Sequence, residues 1–114
     1  RVFNDVVRNM DIQRCTVLLA LDISAAFNTI DFVVLAERLK VDSGIDGVVL
    51  EWLLSFLIGR TQYVSVGPSC STPVSCSSGV PQGSVLGPLL FALYISPVSN
   101  VFLAHRLQFH QYAD

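Results

Sequence analysis

Asp22 closes a continuous apolar run over 16–21, and a second carboxylate, Asp114, stands far along the chain behind Gln-Tyr-Ala. A carboxylate directly after a buried strand sits at a sheet edge, where its oxygens are open to a hard divalent cation. Two such carboxylates sharing a pair of ions about 3.5–4 Å apart are the apparatus of phosphoryl transfer, one ion on the attacking oxygen and one on the leaving oxygen. The expected ligands are Asp22, the backbone carbonyl of Ile23 and Asp114, with Mg²⁺ as the ion. Taken singly, Asp22 reads as a cap for the turn over 24–27 and Asp114 as an ordinary terminal polar residue. Their pairing with the loop at 79–83 turns both readings toward metal binding.

In that loop, Gly79-Val-Pro-Gln-Gly83, two glycines bracket a proline-stiffened turn. Glycine lets the backbone approach a flat or charged ligand, and Gln82 adds an amide donor and acceptor. No Gly-Lys-Ser/Thr follows, so it is not a P-loop; alone it is an ordinary turn from loop to helix. Phe27 lies beyond the small residues Ser24, Ala25 and Ala26. Small side chains leave room for a nucleotide sugar, and a ring at 27 can exclude a ribose 2′-hydroxyl; a core phenylalanine is the alternative. Ala26, Phe27, Gln82 and Gly83 form the candidate nucleotide-binding set. Gln62 and Tyr63 read as sheet-face residues, His105 and His110 as surface or core residues, and Trp52 as helix core.

The elements that must position these groups follow from periodicity. The apolar run over 16–21 suits a strand buried on both faces. Residues 24–30 read as a turn with a short helical twist. Asp31 is placed to cap a helix over 32–40 with Val34, Leu35 and Leu39 inward. Asp46 is placed to cap a second helix over 47–58, with Ile45 and Leu50 as a hydrophobic staple and Gly59 as the stop. That helix is apolar almost all round and should be buried on most sides. Residues 61–66 read as a strand, Gly67-Pro68 as a turn, and 72–76 as the returning arm. Ser84 can cap the next helix, or the helix can start at Gly87 with Pro88 first, and it runs to about Ile95. A final strand is expected over 107–112. The class is α+β, a mostly antiparallel sheet packed on helices.

Hydrophobic residues make up 52% of the chain and charged residues 14%, which excludes disorder. Such a low surface charge implies faces packed on segments outside this window, so 1–114 reads as a domain truncated at both ends. The seven Lys and Arg are scattered and the net charge is −2, so no basic stripe marks a free-standing nucleic-acid binder. Three cysteines without a C-x-x-C pair point to a reduced, intracellular chain, with a Cys70–Cys76 bridge as the alternative. No apolar core marks a signal peptide in 1–14. No charge occurs between Arg60 and Arg106, but Pro88, Pro97, Ser96, Ser99 and Asn100 interrupt the apolar stretch, which favours a buried helix over a membrane span.

These motifs resemble the reverse transcriptases of non-LTR (LINE-type) retrotransposons over essentially the whole chain. LLALDISAAFNTID is similar to that family's motif A, GRTQYVSVG to the hairpin before motif B, SGVPQGSVLGPLLFALYI to motif B, and FHQYAD to the start of the Y-x-D-D motif C. The resemblance implies a polymerase palm with part of the fingers, and Mg²⁺-dependent transfer of deoxynucleotides from their triphosphates to a DNA primer on an RNA template. It makes Asp22 and Asp114 metal ligands, Phe27 the sugar gate, and Gln82 with Gly83 part of the nucleotide and template platform. No membrane partner is implied. The family usually carries Asp where Asn28 stands and His where Phe32 stands. These departures keep open a decayed or host-recruited relic that binds nucleic acid or protein; a group II intron-like reverse transcriptase is a further alternative. The 114 residues alone are expected to be inactive.

Overall fold

In the computed structural model, which describes residues 2–111, the order of elements is α1 (Val2–Asp11), a 3-10 turn (Ala26–Asn28), α2 (Phe32–Val41), α3 (Gly47–Leu57), β1 (Thr61–Gln62), β2 (Ser65–Val66), β3 (Ser69–Cys70), β4 (Val74–Ser75), α4 (Leu86–Ile95) and α5 (Val98–Ala104). Helices and antiparallel strand pairs coexist, the α+β class expected.

Local chemistry explains where the helices begin. The Asp31 carboxylate accepts from the backbone N–H of Val33 at 2.8 Å and Val34 at 3.0 Å, satisfying two donors that have no partner within the helix. At α3, Asp46 holds the cap position in extended backbone without a side-chain bond. Ile45 and Leu50, one on each side of that cap, are both packed against the core. At α4 the Ser84 hydroxyl accepts from the Gly87 N–H at 3.0 Å. Pro88 therefore falls in the first turn, where its missing N–H is no loss.

The core lies between α2, α3 and α4. Ile30, Leu35, Leu39, Leu57 and Leu90 are almost wholly buried, joined by Leu53, Val80, Phe91 and Ile95. Each fully buried side chain of this kind contributes roughly 1.5–3 kcal/mol. α2 packs on both other helices, and the Arg38 guanidinium lies 4.7 Å from the centre of the Tyr94 ring across the α2–α4 contact. Taken together, Leu86–Ala104 is 19 residues with mean hydropathy 1.6, long and apolar enough to cross a membrane by length and composition alone. Leu90, Phe91 and Ile95 of this stretch are in the core, and 17% of it is buried.

α3 departs from the expectation of burial on most sides. Leu53 and Leu57, one turn apart, face the core, whereas Val48 and Val49 are exposed and Trp52 is 59% exposed. Trp52 is therefore not a core residue among the described elements, because the face it occupies points away from α2.

Residues 61–75 form a two-stranded ribbon. β2 pairs with β3 around the Gly67-Pro68 turn, and β1 pairs with β4, both antiparallel. Between the two ladders the outgoing arm has two residues, Tyr63 and Val64, and the returning arm has three, Ser71, Thr72 and Pro73. The ribbon is thus bulged where proline has no N–H to give. All eight strand residues are exposed, so the pairing is as expected but the ribbon does not pack on the helices.

The two flanking strands are absent among the described residues. Residues 16–21 form no ladder and are exposed throughout, with Val17 at 89%. Residues 107–111 are likewise irregular, and Tyr112 lies outside the described residues. A strand exists only where a neighbour takes its N–H and C=O groups, and none is presented to either run. α1 and α5 occupy positions where the sequence pattern predicts no element. α1 buries nothing, and the His110 Nε2 lies 3.4 Å from the Asp5 carboxylate of that helix. All three cysteines are free thiols, so the Cys70–Cys76 bridge is not formed. The radius of gyration is 19.1 Å, against about 13 Å for a self-contained domain of this length.

Candidate active site

The glycine loop and the turn after Asp22 are zipped together. Ser78 donates its hydroxyl to the Asn28 carbonyl at 3.0 Å. Gly79 N–H donates to the Ile30 carbonyl and Val80 N–H to the Phe27 carbonyl, both at 2.8 Å. Gly79 has φ +85°, and a Cβ there would stand 2.9 Å from both the Asn28 Cα and the Phe27 carbonyl oxygen. Glycine is required at 79 on two counts: left-handed backbone and backbone-to-backbone approach. Asn28 enters this contact through its main chain.

The turn itself is held from both ends. Asn28 N–H donates to the Ala25 carbonyl at 2.8 Å, and the Thr29 hydroxyl to the Ala26 carbonyl at 3.1 Å. Ala25 sits at φ 52°, left-handed for a residue with a Cβ, a conformation that stores roughly 1–2 kcal/mol. Ala26 is buried beneath the turn. The Phe27 ring is half-buried against Phe91 of α4, with centroids 5.3 Å apart and planes tilted by 50°. Phe27 is thus partly a packing residue, and one edge remains available.

That edge borders an open cleft of about 560 Å³ whose lining includes Phe27, Gln82, Gly83 and Pro88. Three of the four candidate nucleotide-binding residues therefore converge, whereas Ala26 is buried in the core and does not line the cleft. Pro81, Ser84 and Val85 also line the cleft. Sequence reasoning treats Ser84 only as a helix cap; its position directly after Gly83 is the signal that it also borders the site.

Asp22 and Ile23 are exposed, upstream of this turn, and do not line the cleft. Asp22 does not cap the following turn, whose cap position is Ala25 with no side-chain bond. Asp114 lies outside the described residues, so its approach to Asp22 is not part of this structure. Among the described residues no three His, Cys, Asp or Glu side chains cluster. What Asp22 and Ile23 offer is a carboxylate and a carbonyl, the oxygen donors that hard cations take.

Comparison with known proteins matches the chain to a family. Residues 3–114 match reverse transcriptase (RNA-dependent DNA polymerase). A probable RNA-directed DNA polymerase from transposon X-element of Drosophila melanogaster is 34% identical over 116 residues, covering 100% of this chain and 13% of that protein. No solved structure matches the chain. A family model that spans nearly the whole chain and a relative 34% identical over all of it place the chain in the reverse transcriptase family.

Proposed function

We propose that this chain is the palm, with part of the fingers, of a longer RNA-directed DNA polymerase that adds deoxynucleotides to a primer 3′-hydroxyl on an RNA template. The observation that carries the proposal is the convergence of Phe27 with Gln82 and Gly83 around a single cleft. In this reading the deoxynucleoside triphosphate lies against the small-residue turn at Ala26, the Phe27 ring excludes a 2′-hydroxyl, and the Gln82–Gly83 turn meets nucleotide and template. Phe91 packs against that ring.

Oxygen donors at Asp22, at the Ile23 carbonyl and at Asp114 would hold Mg²⁺, which when bound neutralises the triphosphate and activates the primer hydroxyl. The cleft and Asp22 make up only part of a catalytic centre, so the 114 residues alone are proposed to be inactive. An intracellular setting, nuclear or cytoplasmic, belongs to the same proposal.

The test is primer extension on an RNA template in Mg²⁺ by the full-length parent, intact and as Asp22→Ala. Loss of a metal-binding carboxylate should lower the rate by about 10³-fold or more. Equal incorporation by the two proteins would refute a catalytic Asp22, and robust extension by the isolated chain would refute its incompleteness.

A further inference from the structure

We propose that the Ser84 hydroxyl is a positioning residue that sets the Gln82–Gly83 turn at the height the nucleotide needs; this rests on the polymerase reading of the cleft. Ser84 closes a four-residue turn twice: its N–H donates to the Pro81 carbonyl at 3.2 Å and its hydroxyl donates to the same oxygen at 2.7 Å. The hydroxyl then accepts from the Gly87 N–H at 3.0 Å, tying the turn to the first turn of α4. Its single proton is spent on Pro81, so Ser84 has none to offer a ligand. Its influence passes through its neighbours.

Those neighbours are the two exposed residues at the tip. Gly83 has φ +79° at the third position of the turn, the type II pattern, which leaves the Gln82 side chain facing out. Among the described residues neither Gln82 nor Gly83 makes a hydrogen bond of its own. Their placement comes from the Val80 N–H bond to Phe27 on one side and the Ser84 buckle on the other. The Phe27-to-Gln82 spacing therefore depends on the buckle.

Gly87 permits a test that separates placement from stability. It is buried within the helix, and a Cβ there would lie 3.0 Å from the Ser84 Oγ and 3.2 Å from the Pro81 carbonyl oxygen. Alanine favours helix over glycine by up to about 1 kcal/mol, which offsets the cost of the contact, so Gly87→Ala should displace the buckle with little net change in stability.

In primer extension by the full-length parent, Ser84→Ala should raise KM for the deoxynucleotide about tenfold, as expected for two lost hydrogen bonds. kcat should move much less, and Ser84→Thr should restore KM. Gly87→Ala should raise KM with Tm little changed, and it decides the matter if Ser84→Ala does not fold. An active parent in which Gly87→Ala leaves KM unchanged, or in which KM rises only as Tm falls, overturns the positioning role alone. Extension that is indifferent to Asp22→Ala overturns the polymerase reading and this role with it.

Discussion

Two apolar runs of similar composition end in opposite environments. In LLFALYI of α4, Leu90, Phe91 and Ile95 are at most 8% exposed, while in TVLLAL over 16–21, Val17, Leu18, Leu19 and Leu21 are 69–89% exposed. Hydrophobicity does not separate them; hydrogen bonding does. A helix closes its own ladder and then needs only one packing partner, which α2 supplies. A strand must borrow its ladder from a neighbour before it can pack at all. The helical half of the molecule is thus self-consistent, and the segment carrying Asp22 waits on pairing that the described residues do not provide.

This contrast can be broken by measurement. Leu39→Ala, in the centre of the α2–α4 core, should destabilise by about 2–5 kcal/mol through lost burial and a cavity. A loss below about 1 kcal/mol in denaturant unfolding would mean that the three-helix core is not the stable unit. Gly79→Ala should lose roughly 1–3 kcal/mol from left-handed strain alone, with the contact to Asn28 added. Because it parts the glycine loop from the Phe27 turn, primer extension should fall along with stability. Asp31→Ala should lower stability by about 1 kcal/mol, read as a lower Tm, because Val33 and Val34 lose their cap. The smallest effect belongs to Leu18→Ala, within about 0.5 kcal/mol for a residue 69% exposed in this structure. A core-sized loss at Leu18 in the full-length parent would show that the parent buries 16–21 as a strand.

Most of the helical architecture was legible because its signals are local. Asp31 sits one residue before an apolar periodicity, Asp46 does the same with Ile45 and Leu50 flanking it, and Gly67-Pro68 separates two alternating arms. α1 and α5 were not legible: the first mixes charge with apolar residues and buries none of them, and the second follows Pro97 directly. The exposure of Trp52 was equally hidden, since an all-round apolar helix does not say which side a partner will cover. The candidate site divides along the same line. Types and spacing single out Phe27, Gln82 and Gly83, whereas the roles of Ser84 and the Gly79–Asn28 contact depend on distances between loops remote in sequence.

The sequence by itself determined which residues can do chemistry and where helices start and stop, because caps, turns and periodicity act over a few neighbouring residues. Only the tertiary structure decided that the glycine loop is bonded to the turn behind Asp22, that Phe27 is braced by Phe91, and that the run over 16–21 has no ladder. Long-range hydrogen bonds and packing depend on what the fold brings alongside, and no local pattern encodes the neighbour.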